Sequence, residues 1–213
     1  LVLKRKVAAG VEVRLMYDDV GCFFLLPTNY RAQLEAAGIK CRVFNPFVPF
    51  LTVLQNNREH RKICVIDGKV AFTGGINLAD EYINRKERFG HWKDTAIMVK
   101  GRAVDSFTLM FLQMWNIDEK EPEFDRFLAY PAKGPEDAAG YVMPYGDCPL
   151  DWDKVGERVY MDILNRAERY VHIMSPYLIL DGEMETALKF AAERGVDVTL
   201  ILPGIPDKAA PYA

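Results

Sequence analysis

The sequence lacks the features that mark several large classes of protein. Its four cysteines include no CxxC pair, so neither a zinc site nor a disulfide framework is predicted, and we expect a reducing compartment. No apolar run approaches the ~18 residues that a membrane-spanning helix needs. The net charge is −3, with 27 basic and 30 acidic residues, and this balance argues against a general nucleic-acid binder. We therefore expect a globular chain that is soluble as it stands.

The first 44 residues show helical and strand periods in alternation. VEVRLMY, from Val11 to Tyr17, alternates apolar and polar side chains and predicts a strand that follows a helix ending at Gly10. YRAQLEAA predicts a helix that ends at Gly38, and IKCRVF predicts a second strand. The sequence therefore predicts a β-α-β unit.

A hairpin and a helix are predicted in the middle of the chain. HRKICVI and VAFTG flank Asp67-Gly68-Lys69, and an Asp-Gly pair is favoured where a tight hairpin needs positive φ. TAIMVKG predicts a further strand, and the spacing of apolar residues from Ala103 to Trp115 predicts an amphipathic helix.

The chain is predicted to form parts of two domains. An acidic segment with three prolines lies between Asn116 and Gly140 and indicates a linker. After it, residues 154–169 and 183–194 predict helices, and each is followed by a strand, YVHIMS or VDVTLIL. We thus expect an α/β fold, with a first domain over 1–116, a linker over 117–140 and the start of a second domain over 141–213.

One internal repeat relates the two ends of the sequence. KVAAGVEVRLMY resembles AAERGVDVTLIL, and Gly10 then matches Gly195 at an offset of 185 positions. Interpreted as a duplication, the repeat predicts that the first half is clipped at its start, at Leu1, and the second at its end. The counterpart of His60 would fall about 32 residues beyond Ala213.

The residues with the clearest chemical potential surround the hairpin. His60 and Lys62 stand two apart in H-R-K-I-C-V-I-D, and we expect them on one face of the first hairpin strand. An imidazole beside an ammonium suits a phosphodiester, because the imidazole can attack phosphorus while the lysine offsets charge on the phosphate oxygens. The amide of Asn77 could assist, and the Gly74-Gly75 pair leaves room for close approach of the backbone.

The whole pattern, HxK with Asp67 four residues further on and then GGxN, resembles the HKD signature of the phospholipase D superfamily. The surrounding segments resemble bacterial cardiolipin synthases along nearly the whole chain. These segments are NNREHRKICVIDGKVAFTGGINLADEY, FGHWKDTAIMVKGRAV and SPYLILDGEMETALKFAAERGVDVTLILPGIPDK. The departure is Gly75, where many members have serine, although a double glycine is familiar in the cardiolipin synthase branch.

The resemblance implies a fold and an activity. The fold would be phospholipase D-like, with two α/β halves of mixed sheet flanked by helices and an active site at their interface. The activity would transfer a phosphatidyl group between two phosphatidylglycerol molecules through a phosphohistidine, with no metal and no cofactor. It also implies an anionic phospholipid as partner, no nucleic acid, and a full-length protein at the cell membrane with its catalytic part on the cytoplasmic side; it leaves the oligomeric state open.

Two aspartates are candidates for a supporting role. Asp67 belongs to the motif, but its place at the Asp-Gly turn favours a structural function over a catalytic one. Superfamily members have a carboxylate at the position of Asp94 that accepts a hydrogen bond from the histidine Nδ1, so the resemblance implies that Asp94 orients His60. The alternative for Asp94 is an exposed carboxylate at the start of a strand.

Several alternatives stay open at this point. Water in place of a lipid alcohol would make the protein a phospholipase D-type hydrolase, and without a second motif the chain could be a non-catalytic binding module. We expect this chain alone to be inactive in multiple turnover, because neither His91 nor His172 lies in an HxKx₄D context. The apolar run from Phe44 to Leu54 could face lipid or be buried. Basic residues around the motif could attract head groups or be ordinary solvated charges; they are Arg58, Arg61 and Lys69.

Overall fold

The computed structural model describes residues 1–22, 25–47, 57–88, 90–128, 138–148 and 153–204. The chain forms two compact units, the first comprising Leu1–Thr73 with Met98–Ala138 and the second comprising Gly74–Ile97 with Ala139–Ala213. Helices and small sheets alternate along the chain, so the predicted α/β class is confirmed. The predicted linker over 117–140 and the domain limits on either side of it stay predictions.

The first unit begins with the predicted β-α-β arrangement. Its elements are α1 (Val2–Ala8), β1 (Arg14–Asp18), the short α2 (Asp19–Cys22), α3 (Tyr30–Glu35) and β2 (Lys40–Phe44). Strands β1 and β2 are parallel, with Arg14 opposite Lys40. Leu34, Ile39 and Cys41 form the core under these strands. The strand over VEVRLMY is shorter than predicted, because the pairing with β2 begins only at Arg14.

Glycine ends two of these helices in the same manner. Gly10 has φ +84 and Gly38 has φ +77, both in the left-handed region that glycine adopts without strain. After α1, the Gly10 amide donates to the Val7 carbonyl at 2.9 Å and the Val11 amide donates to the Lys6 carbonyl at 3.0 Å. This is a Schellman motif, and it satisfies carbonyls that a helix end would otherwise leave unpaired.

The predicted hairpin and helix follow β2 along the chain. Strands β3 (Ile63–Ile66) and β4 (Val70–Gly74) pair antiparallel, and β5 (Ala96–Lys100) joins them in the order β3-β4-β5. Helix α4 (Ala103–Trp115) packs on this sheet through a core of Ala71, Val99, Val104 and Phe107. A four-residue helix, α5 (Asp125–Leu128), follows within the segment predicted to be a linker.

A charged cluster ties the chain after α4 to the amino-terminal ends of β1 and β2. The Arg14 guanidinium donates to Glu12 at 2.7 Å and to Glu123 at 2.8 Å, and it lies 4.5 Å from the centre of the Phe127 ring. Arg126 donates to Glu12 at 2.9 Å. Part of the predicted linker is therefore docked on the first unit by ion pairs and cation–π contacts.

The second unit contains another pair of parallel strands. Its regular elements are α6 (Val155–Arg166), β6 (Tyr170–Met174), α7 (Gly182–Glu193) and β7 (Asp197–Ile201), close to the predicted bounds. Helix α7 begins at Asp181, whose side chain accepts from the Met184 amide at 2.9 Å as an N-cap. The apolar core between these helices and strands consists of Leu164, Val171, Ala187, Leu188, Ala191 and Val196.

Membrane-spanning helices and clusters of metal ligands are both absent from the described residues. None of the described helices is long and apolar enough to cross a membrane. Within the same residues, no group of three or more histidine, cysteine, aspartate or glutamate side chains is arranged to hold a metal ion. Most of the apolar run suggested as a lipid-facing loop, residues 48–54, lies outside the described part of the chain.

Candidate active site

His60 and Lys62 lie on an extended segment that leads into the hairpin, not in a strand. Strand β3 begins at Ile63, so the prediction that both side chains project from the first hairpin strand is wrong in this detail. The reason lies in the partner strand: Ile63 is opposite Thr73, so Lys62 could pair only with Gly74, where β4 ends. The His60 side chain is nevertheless exposed, and Lys62 is half-buried.

The two motif side chains contact each other directly. Lys62 Nζ lies 3.0 Å from His60 Nδ1 and donates to the His60 carbonyl oxygen at 2.6 Å. An ammonium group has donors only, so Nδ1 is the acceptor and the proton of a neutral imidazole is then carried by Nε2. The sequence-based expectation that the imidazole and the ammonium stand side by side is met by this geometry.

The backbone before His60 is attached to the carboxyl ends of the parallel strands. Asp18 is the last residue of β1, and its Oδ2 accepts from the Glu59 amide at 3.0 Å. Asn45 follows β2 and donates from Nδ2 to the Asn57 carbonyl at 2.9 Å. In open α/β sheets, ligands bind at the carboxyl ends of the strands, so the motif is anchored where such a fold normally binds its ligand.

Neither Asp18 nor Asn45 was among the residues singled out from the sequence. Their partners in the motif segment lie 41 positions after Asp18 and 12 positions after Asn45, separations that no local pattern reveals. One signal was present: an acidic residue at the carboxyl end of a predicted parallel strand is well placed to reach a neighbouring loop.

The two glycines of the GGxN sequence have a packing reason. A Cβ on Gly74 would lie 2.4 Å from the Thr95 carbonyl oxygen, and a Cβ on Gly75 would lie 2.8 Å from Asp94 Oδ1. The Gly75 amide donates to the Thr95 carbonyl at 3.3 Å. Backbone approach from the chain before β5 therefore requires glycine at position 74, whereas a Cβ at position 75 would displace the Asp94 side chain. This packing is a different reason from the phosphate contact expected from the sequence.

Asp94 is held in a defined position by its neighbours. Its Oδ2 accepts from Trp92 Nε1 at 3.0 Å, and its Oδ1 accepts from the Thr95 amide at 2.8 Å. Trp92 is fixed in turn, because its amide donates to the Asn84 side chain at 2.7 Å and its ring packs edge-on against Tyr82. These contacts give Asp94 a fixed, half-buried carboxylate, in contrast to the freely exposed strand-start residue that was the alternative.

The remaining predicted site residue in the loop after β4 is Asn77. It is half-buried and lies just before a 3-10 helix, Asp80–Ile83, with its carbonyl accepting from the Ala79 amide at 3.0 Å. His60 and Lys62 belong to the first unit, whereas Asn77 and Asp94 belong to the second. Their convergence on one phosphate-binding site therefore stays a prediction.

Asp67 occupies the hairpin turn with φ +54, and Gly68 follows with φ +63. Two successive residues of positive φ are what the tight hairpin predicted from the Asp-Gly pair requires. Strand β3 stands between Asp67 and Lys62 and spans about 10 Å at 3.3 Å per residue. This placement favours the structural interpretation of Asp67 over the catalytic one, although its role stays a prediction.

The other histidines are on the surface. His91 is exposed in the loop before β5. His172 lies on β6 with 51% of its side chain exposed, packs beside the Tyr170 ring and has Nε2 3.7 Å from Asp197 Oδ2. Neither histidine lies in an HxKx₄D context, and the absence of a catalytic role for either stays a prediction.

Comparisons with known proteins show what the chain is similar to. Residues 2–115 match a family model described as a cardiolipin synthase, PLD-like domain. A protein of Streptococcus mutans named only as uncharacterized is 60% identical over 212 residues, which cover 100% of this chain and 46% of that protein. The cardiolipin synthase of Geobacillus thermodenitrificans is 40% identical, with coverage of 97% and 41%. Cardiolipin synthase 1 of Staphylococcus aureus is 35% identical, with coverage of 99% and 43%. The chain thus spans less than half the length of these relatives.

Proposed function

This chain belongs to the family of cardiolipin synthase PLD-like domains, and we propose that it supplies the nucleophile of a phosphatidyltransferase. The reaction moves a phosphatidyl group from one phosphatidylglycerol to a second, giving cardiolipin and glycerol. The observation that carries the proposal is an exposed His60 with the Lys62 ammonium 3.0 Å from its Nδ1. The full-length protein would then act at an anionic membrane surface.

The first step forms a covalent intermediate at His60. Its Nε2 attacks the phosphorus of phosphatidylglycerol, a P–N bond forms, and the P–O bond to the terminal glycerol breaks. The departing oxygen takes a proton and leaves as glycerol. Lys62 and the amide of Asn77 would offset the charge that builds on the non-bridging phosphate oxygens.

The observed contact between Lys62 and His60 sets a requirement for that step. Nε2 must present a lone pair to phosphorus, so the imidazole proton has to be on Nδ1. Lys62 therefore has to turn from Nδ1 to the phosphate as the substrate binds, because an ammonium cannot accept that proton. We propose that Asp94 then accepts the hydrogen bond from Nδ1–H, the role that the family resemblance gives it.

The second step resolves the intermediate. A hydroxyl of a second phosphatidylglycerol attacks phosphorus and loses its proton, and the P–N bond breaks as the new P–O bond forms. General acid and base help at both oxygens is typically worth ~10²–10⁴ in rate. The family resemblance implies that a second HKD motif provides this help.

The test uses the purified full-length protein and vesicles of ³²P-labelled phosphatidylglycerol. We expect cardiolipin and glycerol as products, acid-labile label on His60 in a rapid quench, and loss of both in His60→Ala. His172→Ala is the matched control, because His172 is an exposed histidine outside any HKD pattern, and it should retain full activity. Phosphatidic acid in place of cardiolipin would indicate hydrolysis by water. Undiminished turnover by His60→Ala would refute the proposal.

A further inference from the structure

Asp18 is a largely buried carboxylate that lies outside the HxKx₄D motif. It ends β1, and only 9% of its side chain is exposed. Aspartate is rarely buried to that extent unless it is paired or hydrogen-bonded, because removing its charge from water is costly. Its partners therefore indicate what it is for.

Both carboxylate oxygens of Asp18 are engaged. Oδ1 accepts from the Gly21 amide at 3.0 Å and from Arg58 Nη1 at 3.4 Å, while Oδ2 accepts from the Glu59 amide at 3.0 Å. One oxygen thus fixes the turn after β1 and the other fixes the residue that precedes His60. An aspartate can make both sets of bonds at once, whereas an asparagine has a single acceptor oxygen.

The residue after His60 is fixed as well. The Arg61 amide donates to Glu59 Oε1 at 2.9 Å, and Arg61 Nε donates to the same oxygen at 2.8 Å. Since the Glu59 amide is bonded to Asp18, the backbone on either side of His60 is attached, directly or through one residue, to the end of β1. The imidazole projects from a segment that is pinned at both flanks.

The end of β2 adds a second attachment to the same segment. Asn45 has φ +43, a left-handed conformation that asparagine tolerates better than most residues. Its carbonyl accepts from Arg58 Nη1 at 3.2 Å, and its Nδ2 donates to the Asn57 carbonyl at 2.9 Å. Arg58 therefore bridges the ends of the two parallel strands immediately before the motif.

We propose that Asp18 is a positioning residue for His60, fixing the backbone that carries the nucleophile so that the imidazole meets phosphorus in line. This inference rests on the proposed function and assigns no contact between Asp18 and the substrate. A misplacement of about 1 Å in a nucleophile can cost 10²-fold in rate, so loss of the anchor should act on kcat. Because Lys62 and Asn77 are unchanged, KM should change little.

The test compares Asp18→Asn with Asp19→Asn in the full-length protein. Asp19 is the matched control, because the Phe47 amide donates to its Oδ2 at 2.7 Å, and an asparagine oxygen can accept this bond equally well. We expect Asp18→Asn to lower kcat by about 10- to 100-fold with KM within three-fold of the unmodified protein. Asp19→Asn should stay within two-fold in both constants. Thermal unfolding establishes that each variant is folded at the assay temperature.

A second variant covers the case in which Asp18→Asn does not fold. Asp18→Glu keeps the charge beside Arg58 and both acceptor oxygens, but it moves them by one methylene, so kcat should fall about 10-fold. A folded Asp18→Asn or Asp18→Glu with kcat like that of the unmodified protein would overturn the proposal.

A chemical readout separates this proposal from the proposed function. Diethyl pyrocarbonate modifies neutral imidazoles, and the rate at His60 can be measured by peptide mass relative to His172 in the same sample. Asp18→Asn should raise that ratio, since the backbone that precedes His60 loses part of its attachment to the end of β1 and the ring becomes more mobile, and Asp19→Asn should not. An unchanged ratio overturns the positioning role whether or not phosphatidylglycerol proves to be the substrate.

Discussion

Two regions of the molecule, α1–β1 and α7–β7, share one local structure. In each, the helix ends in a Schellman motif at a glycine of positive φ, Gly10 at +84 and Gly195 at +90, and a parallel strand follows. The Val196 amide donates to the Ala191 carbonyl at 3.1 Å, as the Val11 amide does after α1. The similarity predicted from the sequence repeat is therefore present in the backbone.

The two regions differ at the carboxyl ends of their strands. At the offset of the repeat, Asp18 corresponds to Pro203, which has no side-chain acceptor and no amide proton. The Schellman motif recurs in both regions because each helix end has carbonyl groups that need hydrogen-bond donors. In the first region, the residue at this position, Asp18, accepts from the Glu59 amide in the segment that leads to His60. The local structure shared by the two regions therefore does not determine which side chain follows the strand.

The largest expected effect contrasts a proposed catalytic aspartate with a surface one. Asp94→Asn should lower kcat for phosphatidyl transfer by about 10²-fold, because an amide cannot stabilise the positive charge that His60 gains. Asp197→Asn removes the carboxylate beside His172 and should leave kcat within two-fold. Both are measured on phosphatidylglycerol vesicles with the full-length protein. An Asp94→Asn enzyme as fast as Asp197→Asn would move the orienting role to another group.

Much of the fold follows from local patterns in the sequence. The hairpin around Asp67 and Gly68 was predicted because Asp-Gly suits positive φ, and both residues adopt it. Helix α4 has the predicted bounds, because its apolar residues recur at helical spacing from Ala103 to Trp115. Strand starts were less predictable, because β1 and β3 begin where a partner strand is available and not where alternation of side chains begins.

The site was predictable only in part. The residue types of the motif predicted that His60 and Lys62 lie side by side, because HxK with its flanking aspartate and glycines is a narrow pattern, and their contact agrees with this. The position of Asp18 next to the motif was not predicted. It depends on a hydrogen bond from the Glu59 amide, 41 residues away in the sequence, that exists only in the tertiary structure. The need for glycine at position 74 was not predicted either, because the Thr95 carbonyl lies beside it only in the tertiary structure.

The next expected effect concerns the glycines that end the helices. Alanine at Gly10 or at Gly195 would meet no atom within 4 Å of its Cβ, so the cost is backbone strain alone, about 1 kcal/mol in the free energy of unfolding. Alanine at Gly38 would also have its Cβ 2.7 Å from the Val7 Cγ1, and we expect about 2–3 kcal/mol. Denaturant unfolding of the three variants measures these differences.

If the two helix ends are equivalent, Gly10→Ala and Gly195→Ala should lower the free energy of unfolding equally. If Gly10→Ala and Gly195→Ala differ by more than about 1 kcal/mol, the two helix ends share a backbone conformation but are not energetically equivalent. Gly182→Ala is the control, because Gly182 opens α7 with no positive φ and open space at its Cβ. This substitution should not lower the free energy of unfolding, because alanine favours the helix more than glycine does.

The smallest expected effect concerns the amino-terminal ends of the same strands, where Glu12 corresponds to Asp197. Burial alone would raise the pKa of Glu12, but hydrogen bonds from Arg14, Lys40 and Arg126 lower it from 4.5 to about 2. Since the folded pKa lies below the unfolded one, Glu12 stabilises the fold above about pH 4.5, and this contribution is lost as the pH falls toward 2. We expect it to be about 1 kcal/mol after solvent screening, because the side chain is 29% exposed.

Glu12→Gln therefore should lower the free energy of unfolding by about 1 kcal/mol at pH 7 and by progressively less between pH 4.5 and 2. Asp197→Asn should change it by less than about 0.5 kcal/mol, because that carboxylate is 69% exposed and its Oδ2 lies as far as 3.7 Å from His172 Nε2. Urea unfolding at several pH values measures both.

A Glu12→Gln effect that is independent of pH would mean that the carboxylate acts through packing and not through its charge. An equally large, equally pH-dependent effect of Asp197→Asn would remove the contrast between the two strand starts.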